Sequence, residues 1–427
     1  MSKSKIKVGI IGCGNCAASL VEGTQYYVQN PQDRVGLMYE DIGGYTVNDL
    51  EFVIGFDVDR RKVGQWLGDA LRAKPNCAMH HVEEIDNTVV PPSAMVYSGP
   101  LLDGVAPYML EFPEEVSFRI GADTAKSFPE IVALLKSSGC EVLLNYLPVG
   151  SEQATDYWVE IALAAGVHFV NCIPTMIATK KTIEVEQRFI DKGLTIVGSD
   201  MRSAWGASRL SEVLQGAMLD SGLMVTQHIQ LNMACGSTQG QEHIRTGRTC
   251  NTDFANMSNQ ARLHSKHISK ENVLKGQNAV RDVSIAGMTL FAGPSVSVFQ
   301  KPGGRYIGTD NKICNIDIVA YGFAGARYEF ACRMSVQDSP NSGGVVISAV
   351  RFCRVAAEMG IVGFLRGPSA YTQKSPPVHL STNDAKFECD ALARRELTNL
   401  TRPQLKENKP LAKDLPYTIQ TDKTDYE

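Results

Sequence analysis

Short apolar runs alternate with helical patterns over the first half of the chain. Each run has the length of a buried strand, and the residues after it repeat their apolar positions every three to four residues, as helices do. The runs predicted to be strands are residues 7–11, 51–58, 142–146, 167–172 and 194–197. Strands that alternate with helices in this way favour an α/β fold with a doubly wound parallel sheet.

Other segments of the first half do not fit this simple alternation of strands and helices. Residues 25–50 are polar and contain glycines, which predicts an inserted loop, whereas residues 60–71 are expected to be helical. Residues 152–165 are predicted to form a helix that Ser151 caps, because a serine hydroxyl at this position accepts a hydrogen bond from the first helical turn.

The pattern changes in the second half of the chain. Residues 225–233 and 313–336 alternate like longer strands, and a polar stretch, 236–282, lies between them. We therefore predict one α/β domain over residues 1–225 and an α+β domain with an open sheet over residues 226–335.

The C-terminal part, residues 336–427, is expected to return to the first domain. Residues 341–360 have the pattern of an amphipathic helix. The tail from about residue 380 is charged and contains Pro403, Pro410 and Pro416, which predicts a surface position or partial disorder.

Composition and charge narrow the class of protein. The chain has 427 residues and a formal net charge of −4, which argues against broad nucleic-acid binding. No apolar stretch approaches the roughly 20 residues that span a bilayer, so we expect no membrane association. The first apolar run is short and stops at a glycine loop, so we also expect no signal peptide. Eleven scattered cysteines suit the reducing cytoplasm.

The first strand leads into a glycine loop. Gly12, Gly14 and Ala17 have the spacing of a dinucleotide-binding turn, with a strand before them and a helix after them. Gly12 permits the tight turn, Gly14 lets the backbone approach a pyrophosphate, and Ala17 keeps the helix close to the sheet. The helix N-terminus attracts the anion. The first domain is therefore predicted to be Rossmann-type.

The end of the second strand indicates which cofactor binds. Asp57 lies there, further from Gly12 than the usual ~20 residues, and the predicted inserted loop explains the gap. An acid at this position accepts hydrogen bonds from the adenosine ribose and disfavours a 2′-phosphate, so NAD is preferred over NADP. Arg60 and Arg61 can accommodate such a phosphate, but a solvated helix start is the more ordinary interpretation of them.

Several short polar segments of the second half contain lysines and aspartates. Lys266 and Lys270 lie four residues apart, so on a helix they share one face. Like charges at this spacing repel unless they are solvated or an anion binds between them, and a sugar phosphate is such an anion. Taken singly, each lysine is more ordinarily a solvated surface group.

Taken together, these segments resemble the myo-inositol-1-phosphate synthase family, particularly its shorter bacterial form. The matching segments follow the family's order over nearly the whole chain: VGIIGCGNCAASLVEG, FDVDRRKVG, LLDG, YLPVGSE, FVNCIP, SKHISK, DSPNSGGVVI and SAYTQKSPP. The resemblance implies a Rossmann-type domain plus a domain for catalysis and homotetramer formation. It also implies NAD as a recycled cofactor and glucose 6-phosphate as the usual substrate.

The resemblance implies which residues of this chain match the functional residues of the family. The implied catalytic residues are Asp200, Lys266, Lys270, Lys312, Asp338 and Lys374. The predicted cofactor contacts are Gly12, Gly14, Asn15, Cys16, Ala17, Asp57, Asp103, Leu147, Pro148, Gly150, Ser151, Asn171 and Pro174. The implied substrate contacts are Ser203, Asn251, Asp253, Ser265, Lys266, Lys270 and Lys374. We predict no metal ligands, because the sequence has no dense cluster of histidines and carboxylates.

The family reaction that the resemblance implies is a carbocyclisation in one site. C5 is oxidised by NAD, C6 loses a proton, the enolate closes onto C1, and the hydride returns. Lys266, partnered by Asp200, is our candidate base for the O5 proton, because clustered lysines depress one another's pKa. Lys270 and Lys374 are assigned to the new alkoxide at O1. The remaining lysine and aspartate are assigned to electrostatic organisation.

Four departures from the family pattern put the substrate in question. Ser199 replaces an aspartate, Arg202 replaces a lysine, and extra residues occur near 236–250 and 299–308. Basic side chains of the first insertion either contact the substrate or form a surface loop: His243, Arg245 and Arg248. The alternative substrate is therefore another sugar phosphate, such as fructose 6-phosphate. Alternatives of other classes are a plain NAD(P)-dependent dehydrogenase and a non-catalytic NAD-binding protein.

Overall fold

The structure, a computed structural model, describes most of the chain. The described residues are 4–111, 114, 117–121, 125–177, 182–234, 256, 260–276 and 310–397. The predicted substrate residues Asn251 and Asp253, both insertions and the end of the charged tail lie outside them. No helix in the described part is long and apolar enough to cross a membrane.

The strands form two separate sheets. Their bounds are β1 (Ile6–Ile11), β2 (Leu50–Asp57), β3 (Val96–Ser98), β4 (Val142–Asn145), β5 (His168–Asn171), β6 (Thr195–Val197), β7 (Met224–Ala234), β8 (Asn311–Tyr321), β9 (Arg327–Gln337) and β10 (Gly363–Phe364). Seven of them form a parallel sheet in the order β10-β6-β5-β4-β1-β2-β3. The order runs outward from β1 on both sides, so the predicted doubly wound fold is confirmed.

Helices cover both faces of the parallel sheet. Their bounds are α1 (Asn15–Gln29), α2 (Leu67–Arg72), α3 (Phe128–Ser138), α4 (Glu152–Ala165), α5 (Thr182–Asp191), α6 (Ala207–Asp220), α7 (Gln260–Gly276), α8 (Pro340–Glu358), α9 (Arg366–Thr372) and α10 (Thr382–Ala393). One apolar cluster joins the sheet to α1, α8 and α10, and a second joins it to α3, α4 and α5. In β4, Val142 and Leu144 belong to the first cluster and Leu143 to the second, because successive side chains of a strand point to opposite faces.

The remaining strands form an antiparallel sheet in the order β7-β8-β9. The segment 313–336, predicted as one strand-like stretch, is a hairpin whose two strands are joined at residues 322–326. Cys314, Ile316 and Ile318 of β8 are buried together with Ala207 of α6. Lys312 precedes Cys314 by two residues, so the period of a strand places its side chain on the same face.

Two predictions about the first half are wrong. Residues 25–50 are not one loop, since α1 continues to Gln29 with Thr24 and Gln25 fully buried. Residues 60–71 are helical only from Leu67. Before that point, Asp59 Oδ1 accepts a hydrogen bond from the backbone N–H of Arg61 at 3.0 Å and holds a turn instead.

One further prediction, about a helix end, is also wrong. The Ser151 hydroxyl donates to the carbonyl of Pro148 at 2.5 Å and does not cap α4. The first turn of α4 is capped by Asp103, whose carboxylate accepts from the backbone N–H groups of Gln153 and Ala154 at 2.7 and 3.1 Å. The tail from about residue 380 begins with α10, whose Cys389 and Leu392 belong to the first cluster, and the tail beyond residue 397 lies outside the described residues.

Candidate active site

The glycine loop lies between the carboxyl ends of β1 and β4. Gly12 has a φ of +85°, and a Cβ at this position would lie 2.7 Å from the carbonyl oxygen of Tyr146, so the position requires glycine. Gly14 is the N-cap of α1 and Ala17 is fully buried. No side chain caps α1, so the N–H groups of its first turn are left for an anion.

A pocket with about 760 Å³ of empty volume lies beside this loop. Its walls come from the loop, the end of β2 and residues 99–105. Six of the predicted cofactor residues line it: Gly12, Gly14, Asn15, Asp57, Leu147 and Pro148. The structure therefore brings the central part of the predicted set together in one cavity.

The other predicted cofactor residues surround this pocket and mostly hold its walls. Asn171 is fully buried and contacts Asn145, while Gly150 has a φ of +91° in the turn between β4 and α4. Pro174 is buried after β5. Cys16, in the first turn of α1, interacts electrostatically with Lys266. The glycine loop therefore adjoins the lysine site described next.

Asp57 uses its carboxylate to fasten the glycine loop. Oδ2 accepts from the backbone N–H of Cys13 at 2.8 Å, and Oδ1 accepts from those of Val58 and Asp59 at 2.7 and 2.9 Å. The buried ammonium group of Lys62 lies 4.0 Å away. Asp57 therefore shapes the turn as well as facing the cavity.

The two arginines after β2 have other partners. Arg61 pairs with the carboxylate of Asp59 at 2.5 Å and donates to the carbonyl of Ser117 at 2.8 Å. Arg60 is mostly exposed, 3.9 Å from Glu114. The interpretation of this pair as an ordinary solvated helix start is wrong for Arg61, which fastens a loop.

Asp200 is the centre of the predicted catalytic set. It is 1% exposed, follows β6, and has a φ of +66°, a region that aspartate tolerates better than most residues. Oδ1 accepts from Nζ of Lys266 at 3.0 Å and from Nζ of Lys374 at 2.8 Å, while Oδ2 accepts from the hydroxyl of Ser269 at 2.5 Å. Three segments that are distant in the chain meet at one carboxylate.

The antiparallel sheet supplies Lys312 and Asp338, and it also holds Lys270 of α7. Nζ of Lys312 lies 2.5 Å from Oδ2 of Asp338, which directly follows β9. Nζ of Lys270 donates to Oδ1 of Asn232 at 2.9 Å, and Asn232 lies on β7 opposite Cys314 of β8. The pairing of the three strands thus fixes these groups relative to one another.

A second pocket, with about 440 Å³ of empty volume, encloses these side chains, and we call it the lysine pocket. The predicted site residues that line it are Ser203, Lys266, Lys270, Lys312, Asp338 and Lys374. The predicted contact Ser265 is buried elsewhere on α7. Lining residues that the sequence did not single out include Ser208, Arg209 and Asn232. Their identity carries no local signal, because only the packing of α6 and β7 places them there.

Comparison with known proteins decides the family. A family model described as Myo-inositol-1-phosphate synthase matches residues 206–339. The inositol-3-phosphate synthase of Corynebacterium glutamicum is 34% identical over 398 residues, which cover 92% of this chain and 99% of the relative. This chain belongs to the myo-inositol-1-phosphate synthase family. It is an enzyme of the inositol-3-phosphate synthase type, as the sequence predicted.

Solved structures share the fold of this chain. The crystal structure of Ari2 is 27% identical, with a TM-score of 0.64, and covers 91% of this chain and 99% of its own. A myo-inositol-1-phosphate synthase-related protein from Thermotoga maritima has a TM-score of 0.70 at 18% identity, covering 91% of this chain and 98% of its own. The second likeness shows the shared fold.

Two departures from the family pattern lie behind the lysine pocket and do not line it. Ser199 is fully buried, and its backbone exchanges hydrogen bonds with that of Ser375 at 2.9 and 3.0 Å. Nε of Arg202 donates to the carbonyl of Gln373 at 2.6 Å, and its guanidinium pairs with Glu212. Both residues therefore help to position the segment that contains Lys374, which lines the pocket.

The lysines of the pocket differ in protonation. Burial lowers the pKa of Lys374 to about 7, although Asp200 opposes the shift. Burial also holds the pKa of Lys270 well below its ordinary value, and the charges of Lys312 and Lys374 add to this effect. Both amines therefore lose their proton more readily than an exposed lysine does.

Lys266 behaves in the opposite way. Burial disfavours its ammonium form, but the carboxylates of Asp200 and Asp338 raise the pKa of Lys266 above its usual value. Its side chain is also more exposed than that of Lys374, at 18% against 9%. The prediction that Lys266 is the lysine with a lowered pKa is wrong, because two carboxylates rather than other lysines dominate its surroundings.

The aspartates of the pocket stay ionised. Burial opposes the charge of Asp200, but Lys266 and Lys374 outweigh it and hold the pKa of Asp200 far below its usual range. Burial likewise opposes the charge of Asp338, and Lys312 lowers its pKa overall. Within the described part of the chain, no three histidine, cysteine or acidic side chains form a cluster that fits a metal ion.

Proposed function

We propose that this enzyme converts D-glucose 6-phosphate to 1D-myo-inositol 3-phosphate, with NAD as a recycled cofactor. The observation that carries the proposal is the shared carboxylate of Asp200, which holds Lys266 and Lys374 in one pocket with Lys270 and Lys312. A sugar phosphate supplies the anion that such a cluster of cations favours. Amines of different pKa supply both a base and a stabilising charge.

The glycine-loop pocket supports NAD as the cofactor. Gly12, Gly14 and the uncapped first turn of α1 fit a pyrophosphate. NAD bound there would accept a hydride from C5 of the sugar and return it at the end of the cycle, so the reaction is an isomerisation without net oxidation. Arg61 pairs with Asp59, so its guanidinium is not available to bind a 2′-phosphate. This favours NAD over NADP.

We assign the base for the O5 proton to Lys374. Oxidation of C5 removes a hydride and a proton, and the proton needs an acceptor. With a pKa of about 7, Lys374 is a neutral amine in a large fraction of molecules at neutral pH. Asp200 and the carbonyl of Met201 both hold Nζ of Lys374 at 2.8 Å, which fixes its direction.

The other lysines stabilise negative charge. Loss of a proton from C6, for which the substrate's own phosphate group is the acceptor, leaves an enolate charge on O5, and Lys266, whose pKa is raised, stays cationic beside it. Closure onto C1 turns the aldehyde oxygen into an alkoxide, which we assign to Lys270. Its partner among the described residues is the neutral amide of Asn232, so its N–H groups can turn to the substrate. Lys312, which pairs with Asp338, contributes to the electrostatic field of the pocket.

We also propose self-association to a homotetramer through the antiparallel sheet. Tyr328 and Phe330 of β9 are 46% and 37% exposed, and Phe323 in the adjoining turn is 92% exposed. Exposed aromatic side chains on an open sheet favour contact with another chain. Sedimentation equilibrium tests this: a single monomeric species at micromolar protein would contradict it. The cytoplasmic location and the domain division at residues 225 and 335 stay predictions.

The proposed reaction is tested by carbon and phosphorus NMR of the protein with NAD and carbon-labelled glucose 6-phosphate. We expect a cyclitol phosphate to appear without accumulation of NADH. A parallel sample contains fructose 6-phosphate, and Asp200→Asn serves as the inactive control. A ring product formed from fructose 6-phosphate, and none from glucose 6-phosphate, would indicate that the ketose is the substrate, as the alternative predicts. Net NADH formation would instead indicate a plain dehydrogenase.

A further inference from the structure

Arg209 lines the lysine pocket, and the proposed reaction does not yet use it. It lies in the first turn of α6, with its side chain 27% exposed. Its guanidinium carbon is 5.9 Å from the centre of the Tyr371 ring. Within the described residues, the side chain of Arg209 makes no hydrogen bond, and Oε2 of Glu212 lies 3.6 Å from its Nη1.

Glu212 is fixed between two arginines. Its carboxylate is 1% exposed, and Oε1 pairs with the buried guanidinium of Arg202. Arg202 is itself held by the carbonyl of Gln373. Because one oxygen of Glu212 is engaged by Arg202, the other faces Arg209. Glu212 therefore holds the guanidinium of Arg209 at the wall of the lysine pocket.

The lysine pocket contains donors that have no acceptor in the described structure. Lys270 contacts only the neutral Oδ1 of Asn232 among the described residues. Nδ2 of Asn232 is buried and has no hydrogen-bond partner there, although Asn232 is 4% exposed and lines the pocket. Unpaired buried donors are costly unless a ligand satisfies them. An anion with several oxygens is the ligand chemistry that suits amines, an amide N–H and a guanidinium together.

We propose that Arg209 binds the phosphate group of the substrate and that Glu212 is the positioning residue that aims it. The guanidinium of Arg209 lies over the ring of Tyr371 and makes no hydrogen bond within the described residues, and its paired N–H groups match two oxygens of a phosphate. The identity of the sugar rests on the proposed function. The binding of phosphate by Arg209 does not, because it requires no turnover.

The test compares Arg209→Gln with the wild-type protein by isothermal titration calorimetry. The probes are inorganic phosphate, glucose 6-phosphate and glucose. We expect the affinity for both phosphates to fall about tenfold or more, as loss of a charge-assisted hydrogen bond does, with no change for glucose. Arg394→Gln, an exposed arginine on α10's C-terminal side, is the charge-matched control and should bind like the wild type.

Two further variants separate positioning from folding. Arg209→Lys keeps the charge but loses the paired geometry, so we expect an intermediate affinity. Glu212→Gln should weaken phosphate binding in the wild-type protein. In the Arg209→Gln variant it should cause no further loss of phosphate affinity. With a turned-over substrate, Arg209→Gln should raise KM and leave kcat nearly unchanged.

The outcomes distinguish this inference from the proposed function. Equal phosphate affinity in Arg209→Gln and wild type, or no phosphate binding by the wild type, overturns the inference even if inositol phosphate is formed. Weakened phosphate binding in the variant supports the inference even if no cyclitol appears, and then only the proposed reaction fails.

Discussion

Lys374 donates a hydrogen bond to Asp200 across 2.8 Å, with both side chains almost completely buried. The same carboxylate oxygen accepts from Lys266. Asp200 thus balances two cations that come from the far end of the chain and from α7. Removal of this one carboxylate should affect catalysis and stability together.

Asp200→Asn leaves Lys266 and Lys374 without their shared counter-charge. We expect turnover to fall by at least about 100-fold, as loss of a group that orients an acid–base pair does. We expect the free energy of unfolding to fall by about 3–5 kcal/mol, because buried charges lose their partner. Steady-state kinetics and urea unfolding measure both. Asp220→Asn, at the exposed end of α6, is the control and should change neither.

Activity should depend on pH through Lys374. Its pKa is lowered to about 7 from the usual 10.5, so the amine is protonated below pH 7 and neutral above it. If Lys374 is the base, kcat/KM rises as pH increases towards 7 and then levels off. Lys374→Arg should be inactive at every pH, because arginine stays charged.

The same lowered pKa has a consequence for stability. Between about pH 7 and 10.5 the unfolded chain carries a proton on Lys374 that the folded chain has lost. The free energy of unfolding contributed by this group therefore rises with pH across that window. Lys374→Met should flatten the rise in urea unfolding measured at several pH values. An unchanged slope would contradict the lowered pKa.

Gly12→Ala tests the glycine loop. The added methyl group would lie 2.7 Å from the carbonyl oxygen of Tyr146, at a φ of +85°. We expect a loss of about 1–3 kcal/mol in the free energy of unfolding and a large loss of NAD affinity in calorimetry. Gly23→Ala on α1 is the matched control, since a Cβ there meets nothing within 4 Å. It should be neutral or stabilise the helix by about 0.5–1 kcal/mol.

Arg351 is a buried arginine whose partners are backbone carbonyls. It is 0% exposed on α8 and donates to the carbonyls of Tyr39, Glu40 and Tyr45 at 2.9 to 3.1 Å. Arg351→Met would remove these three hydrogen bonds, so we expect to lose about 3 kcal/mol or more of unfolding free energy. Chemical denaturation measures it. Arg394→Met, an exposed position after α10, should differ little from wild type.

Much of the fold follows from local patterns. The strands of the parallel sheet are apolar because both faces are covered, and runs of this kind are recognisable without a structure. The glycine loop is recognisable because one short stretch supplies its strand, turn and helix. The lysines Lys266 and Lys270 share a face because α7 is continuous, as their spacing predicted.

Other features depend on segments that meet only in the folded chain. Asp103 caps α4 from 50 positions away, so no local pattern reveals it. The hairpin of β8 and β9 was predicted as one stretch, because alternation continues through its short turn. Arg209 and Asn232 have no distinguishing neighbours in the sequence, and only the packing of α6 and β7 brings them to the lysine pocket.

The sequence by itself determined the family, because its matching segments are short and keep their order, and it predicted which polar residues form the site. The tertiary structure decided what each of them can do. A lysine's pKa is set by its burial and by charges that reach it through space. Burial dominates the pKa of Lys374, which shares one carboxylate with Lys266, whereas two carboxylates raise the pKa of Lys266. Distances between segments, which the sequence does not contain, therefore decide which lysine has the lowered pKa that a base requires.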